Sequence, residues 1–171
     1  MVGLLLIAPL FVIRYGVLGH ISKDAIHRAA HIAPPKDNER FAHLMNQFSV
    51  VFFCIAAWFM SLKKSVFFYP GIIIYSIGII LYLCATIAFA KPNKKGINQT
   101  GIYAYSRNPM YGSQFLVMLG CGLITHSIIL ITLTLLFQIS GHWVILAEER
   151  WCLEQFGFDY QEYMQKTRRT I

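Results

Sequence analysis

Three groups of residues in this chain have the side-chain types and spacing to do chemistry. The first is Gly101 to Gly112, which sets Tyr103, Arg107, Asn108, Pro109 and Tyr111 in a short polar break between two apolar segments. Proline lacks a backbone N–H and disfavours helix at the residue before it. A helix is therefore expected to start at Pro109, with the free N–H groups of its first turn facing Arg107, Asn108 and whatever binds there. Arg107 suits bidentate contact with an anion or, more plainly, the anchoring of a loop. Tyr111 offers a ring or a hydroxyl to a bound group, or belongs to an interfacial aromatic belt.

The second group is Glu148-Glu149. Adjacent helical positions point about 100° apart, so one carboxylate can face a site while the other faces its support. His142 lies two turns earlier on nearly the same face, and serves as a base, a substrate hydrogen bond or a core histidine. Gln138, one further turn in, extends that polar stripe. The third group is Tyr160, Tyr163 and Arg169, with both tyrosines on one helix face.

The elements that must position these residues are apolar. Of 171 residues, 56% are hydrophobic and 13% charged, whereas soluble domains carry about 25% charged residues. The apolar residues lie in long runs, which places the chain in a lipid bilayer. A net charge of +7 invites a nucleic-acid reading. The basic residues, however, sit in loops between apolar runs, where membrane topology explains them, and no nucleic-acid partner is expected. Cys54, Cys84, Cys121 and Cys152 form no Cys-x-x-Cys pair and read as small packing residues. His20, Asp24, His27 and His31 recur at helical spacing, but match no zinc motif. They read as one face of a helix lying on the membrane surface, and no metal site is expected.

Five spans are expected, at about residues 2 to 19, 44 to 62, 70 to 90, 110 to 125 and 127 to 147. The last two form a tight antiparallel hairpin, and an amphipathic C-terminal helix follows, running to Phe156-Gly157. Arg14, inside the first span, either snorkels to an interface, pairs within the bundle or contacts an anionic substrate group. Pro34-Pro35 ends the loop helix. The fold class is therefore an all-α polytopic membrane protein, a single membrane domain over 1–171. Residues 1–96 supply the first three helices, and 97–171 supply the catalytic region. Basic residues cluster at 20–43, at 91–109 and in the tail, against only Lys63 and Lys64 on the other side. The positive-inside rule then sets the N-terminus outside and the C-terminus in the cytoplasm.

Arg107-Asn108-Pro109-Met110-Tyr111, an apolar hairpin, Glu148-Glu149 and then Phe156-Gly157-x-x-Tyr160-x-x-Tyr163 occur in that order. Over roughly residues 97 to 169 this set resembles the integral-membrane methyltransferases of the isoprenylcysteine carboxyl methyltransferase and phospholipid N-methyltransferase superfamily. The resemblance implies a methyltransferase that uses S-adenosylmethionine and releases S-adenosylhomocysteine. It implies cofactor contacts at Tyr103, Arg107, Asn108, Pro109, Tyr111, Glu148, Glu149, Tyr160 and Tyr163, and catalytic roles for Arg107, Glu149 and Arg169, to which His142 is added from its place on the helix alone. Its acceptor would be lipophilic or small. An isoprenylcysteine-like carboxylate is the first expectation, with a phospholipid amine or a thiol as alternatives. The pattern departs from the family at Asn108, where many relatives have histidine, at Ser113 in place of a glycine, and in lacking a proline after Arg169. Two other classes stand beside it: an NADPH-dependent membrane reductase, whose relatives have more spans, and a non-catalytic membrane scaffold, against which the intact motifs count.

Overall fold

Apolar runs too long for a loop set the architecture of the computed structural model, which describes residues 2–31, 33–36 and 38–170. Helix α1 (Val2–Phe11), a π-helical segment (Val12–Val17) and α2 (Leu18–Ile21) follow one another without leaving helical backbone. Then come α3 (Lys23–Ala30), α4 (Asn38–Trp58), α5 (Phe68–Phe89), a 3-10 turn (Gly101–Ala104), α6 (Pro109–Ile124) and α7 (Ile128–Lys166). Among the described residues there is no strand, only an isolated bridge between Ser106 and Arg168. Glu39–Trp58, Phe68–Phe89 and Ile128–Lys166 are long and apolar enough to cross a bilayer. Leu5–Ile21 and Pro109–Ile124 are apolar but shorter.

The bundle has two distinct ends. At one end, the Gly3 N–H donates to Met60 O at 3.2 Å and the Lys63 N–H to Ile124 O at 3.2 Å, joining the start of α1 to the α4–α5 and α6–α7 connections. At the other end, Arg150 of α7 grips Glu39 of α4 at 2.6 Å, and Arg107 ahead of α6 grips Glu149 of α7 at 2.9 Å. The charged loops meet at this second end.

Small residues let the helices approach. A Cβ on Gly120 of α6 would stand 2.6 to 2.7 Å from the backbone and Cβ of Tyr75 on α5. The Tyr75 hydroxyl in turn donates to Leu6 O of α1 at 2.8 Å. Buried Asn46 of α4 donates its amide to Phe137 O at 3.1 Å and to Ser140 Oγ at 3.3 Å, fixing α4 on α7. The α6–α7 hairpin is as tight as its three-residue link predicts. His126 takes φ 49°, the Ser127 N–H reaches back to Gly122 O at 3.0 Å, and Ser127 Oγ caps Leu130 of α7 at 3.4 Å.

Three expected boundaries move. The second span was expected at 44 to 62, but α4 covers Asn38–Trp58, because Glu39 is held in the first turn and the backbone after Trp58 turns to meet α1 and α6. The fifth span and the helix expected after it are not two elements but one. Helix α7 continues because Cys152, Leu153 and Phe156 find an apolar partner in Ile97. The tail was expected to be helical only to Gly157. That glycine instead forms a kink at φ 52°, ψ −127°, and helix resumes to Lys166. Ser22, with φ −158°, also breaks the helix between His20 and Asp24, so the four His and Asp positions of the first loop do not share one continuous helix.

Gly120→Ala should lower the unfolding midpoint of the detergent-purified protein, at a cost of roughly 1–3 kcal/mol for forcing α5 and α6 apart. Gly112→Ala, whose Cβ would meet nothing within 4 Å, should leave it unchanged or slightly raised. Equal midpoints for the two variants would contradict the close α5–α6 contact.

Candidate active site

Pro109 occupies the first turn of α6, and Asn108 before it is non-helical at φ −128°, ψ 53°, as the missing proline N–H dictates. This break delivers Arg107 and Asn108 to the middle of α7. Arg107 Nε donates to Glu149 Oε1 at 2.9 Å, and Asn108 Nδ2 donates to the same oxygen at 3.3 Å. Arg169 Nε donates to Glu149 Oε2 at 2.9 Å. Glu149 is almost wholly buried, its side chain 4% exposed, against 8% for Arg107. A carboxylate this far from water is tolerable only because both oxygens are paired.

The same arginine closes the tail. Arg107 Nη1 donates to Met164 O at 2.7 Å and Thr167 O at 2.8 Å, and the Arg107 N–H donates to Arg168 O at 2.9 Å. Asn108 Nδ2 also reaches Arg169 O at 3.2 Å, while the Arg168 side chain stays exposed. The Tyr163 hydroxyl donates to Tyr103 O at 2.6 Å, and Tyr160 packs on Tyr163 and Ile97. Burial pushes the Tyr103 phenol well above its ordinary range, so it is a neutral hydroxyl at any physiological pH.

Glu148 points elsewhere. Its Oε1 accepts from the Tyr111 hydroxyl at 2.6 Å, and both line a cavity of about 830 Å³. The roughly 100° between neighbouring helix positions thus separates a carboxylate facing the cavity from one facing its support. Tyr103, Arg107, Asn108, Tyr160 and Tyr163 also line this cavity, as do Trp151 and Phe156. Pro109 is buried and sets the backbone without lining it. The break and the acidic pair, 42 positions apart for Arg107 and Glu149, therefore meet.

His142 and Arg169 lie outside the large cavity. With Gln138, Thr170, Tyr111 and Phe137 they border a separate recess of about 50 Å³, and the His142 side chain is exposed. The helix does continue through Trp151, so the acidic pair sits within α7 and no terminal dipole opposes it.

The first loop contributes more than its sequence suggested. Arg14 does not snorkel outward: its Nη2 donates to Ala29 O at 2.8 Å, and the side chain lines the cavity with Tyr82, His27, Arg28 and His31. The loop is strapped to α7, since Arg150 Nη2 donates to Glu39 Oε2 at 2.7 Å and Pro34 O at 3.2 Å, and the His31 ring packs tilted against Trp151 with the ring centres 4.6 Å apart. Asn98 was not singled out by sequence either. It lines the cavity, and its buried Oδ1 has no hydrogen-bond partner among the described residues. A polar residue next to the Gly101 break was the only signal available. Among the described residues, no group of three or more His, Cys, Asp or Glu is placed to hold a metal ion.

Removing one partner of a buried ion pair costs about 3–5 kcal/mol. Glu149→Ala should therefore free the tail, exposing Lys166, Arg168 and Arg169 to limited trypsin cleavage well before the wild type, whereas Glu148→Gln should leave cleavage unchanged. Identical digestion of all three proteins would show that Glu149 does not hold the tail.

A family model described as phospholipid methyltransferase matches residues 67–159. No curated protein and no solved structure matches the chain. The matched residues run from the start of α5, through the Arg107–Tyr111 break and Glu148-Glu149, to the kink in α7, so they contain Arg107, Asn108 and Glu149 but not Arg169. Spanning more than half of the sequence, that match shows that the chain belongs to the phospholipid methyltransferase family, within the superfamily of membrane methyltransferases that also holds the isoprenylcysteine carboxyl methyltransferases.

Proposed function

We propose that this membrane methyltransferase takes its methyl group from S-adenosylmethionine and delivers it to an amine on a lipophilic acceptor that enters the cavity from the bilayer. The observation that carries this reading is Glu148, turned into the cavity and held by the Tyr111 hydroxyl at 2.6 Å. An amine arrives protonated and must lose a proton before it can accept a methyl group. A positioned carboxylate is the group that takes it.

The lining also fits the cofactor. Asn98 Oδ1 is an acceptor in want of an N–H, Trp151 and Phe156 present aromatic faces, and the volume of about 830 Å³ lies within the usual range for ligand sites. When bound, S-adenosylmethionine supplies a methyl group on a positive sulfur that is already a good leaving group. The chain then has mainly to align two reactants, which can contribute about 7–11 kcal/mol. Tyr111 fixes the Glu148 rotamer, and Arg107 and Asn108 hold the rim through Glu149. Phe53, Val117 and Met118 keep water from the deeper wall.

We place Tyr103, Arg107, Asn108, Tyr111, Glu148, Tyr160 and Tyr163 around the cofactor. Glu149, Arg169 and Pro109 hold those groups in position, and His142 stands at the adjoining recess. We also propose that the whole chain acts as one membrane domain with five crossings, its basic end and tail in the cytoplasm and its N-terminus outside. A carboxylate acceptor, the first expectation from the sequence, is the second reading. Arg14 favours it, because a cation is what an attacking carboxylate needs nearby.

Isothermal titration of the purified protein with S-adenosylhomocysteine should give micromolar binding, weakened tenfold or more in Glu148→Gln with an unchanged unfolding midpoint. Labelled methyl should appear on phosphatidylethanolamine rather than on N-acetyl-S-farnesylcysteine. Heat with NADPH and none with S-adenosylhomocysteine would sink the methyltransferase chemistry proposed here in favour of a reductase.

A further inference from the structure

The cavity has a second, cationic wall that the amine reading does not use. Arg14 sits on the π-helical segment Val12–Val17, where the extra residue per turn bulges the helix, and its side chain turns inward. Arg28, from α3, lines the same space. Each guanidinium has five donors. Arg14 Nη2 donates to Ala29 O at 2.8 Å with the Tyr82 hydroxyl beside the same guanidinium, and Arg28 Nη2 donates to Phe89 O at 3.2 Å, which leaves donors over on both. The Arg28 guanidinium also lies 5.0 Å from the centre of the Phe89 ring. Among the described residues, no carboxylate comes within 4.0 Å of either one.

Arg14 lies within the first apolar run, where a cation is costly unless paired and is kept where it faces a pathway or a ligand, while Arg28 reaches the cavity from α3 at the charged end of the bundle. Glu148, the carboxylate that does line the cavity, already bonds Tyr111. Arg14 and Arg28 both precede residues 67–159, so this wall is not part of the matched family region. Phe53, Val117 and Met118 continue the lining toward the bundle centre, a surface suited to a hydrocarbon chain and unsuited to a free ion.

We propose that Arg14 and Arg28 form an anion-binding wall that selects acceptors carrying a phosphate or carboxylate attached to a hydrocarbon chain, and that it holds this anion while the accepting atom faces Glu148. Calling the ligand the methyl acceptor rests on the methyltransferase reading, whereas the anion site itself does not. Both residues act on binding, so their loss should raise KM far more than it lowers kcat.

The test is a binding titration in neutral detergent with dodecyl phosphate, dodecanoate, inorganic phosphate and S-adenosylhomocysteine. Dodecyl phosphate or dodecanoate should bind the wild type, bind tenfold or more weakly to Arg14→Met, and recover part of that loss in Arg14→Lys. Arg28→Met should weaken the same amphiphile, which keeps the test open if Arg14→Met fails to fold. S-adenosylhomocysteine affinity should stay within twofold in every variant. Amphiphile binding that Arg14→Met and Arg28→Met leave intact would overturn the proposal. So would inorganic phosphate binding as tightly as dodecyl phosphate, or a loss confined to S-adenosylhomocysteine, which would assign Arg14 to the cofactor. A wild type that ignores S-adenosylhomocysteine refutes the methyltransferase reading alone, and the dodecyl phosphate series still decides the anion site.

Discussion

Glu149 is buried with a full charge, and the architecture around the cavity follows from what that requires. One of its oxygens takes Arg107 and Asn108 and the other takes Arg169, so three separate parts of the chain must converge on one turn of α7. Once there, Arg107 has donors left for Met164 O and Thr167 O, and the tail folds back over the break. Pair formation of this kind adds little net stability compared with an apolar substitute. It fixes geometry instead, because an incomplete set would leave a bare charge in a low-dielectric interior.

The division of labour between two neighbouring glutamates follows from the same constraint. With Glu149 locked inward, the turn of the helix alone aims Glu148 at the cavity, where Tyr111 steadies it. The acid facing the cavity thus owes its orientation to the acid that does not. The first loop completes the enclosure from the opposite side. Its strap onto α7 through Glu39, Arg150, His31 and Trp151 brings the cationic residues of α1 to α3 over the same space.

Features governed by local chemistry were legible in the sequence. The helix start at Pro109 and the tight link at Thr125 to Ser127 follow from the backbone preferences of a few residues, and the order of the motifs pointed to the family. The meeting of Arg107 with Glu149 was readable only through that resemblance, since no local rule joins positions 42 apart. A helix after the fifth span was expected, but its continuity with that span through Glu148-Glu149-Arg150 was hidden, because three charged residues in a row look like a solvated helix end. They are instead satisfied by Arg107, Arg169, Tyr111 and Glu39 from elsewhere in the chain. An inward Arg14 was among the alternatives the sequence left open, but the π-helical bulge that turns it was equally hidden, because it leaves no mark in a uniformly apolar stretch. Gly157 was visible as a glycine, but a kink and a stop look alike when the helix beyond is held by tertiary contacts.

The unbroken backbone of α7 from Ile128 to the kink also has a mechanical side. Twenty residues of helix span about 30 Å, so the far-side turn and Glu148 are two points on one stiff rod. A thinner or thicker bilayer that tips this rod moves its far-side end through an arc, while the clasp around Glu149 acts as the fulcrum and keeps the neighbouring carboxylate almost still. Lipid thickness is thereby kept out of the aim of the group that faces the cavity.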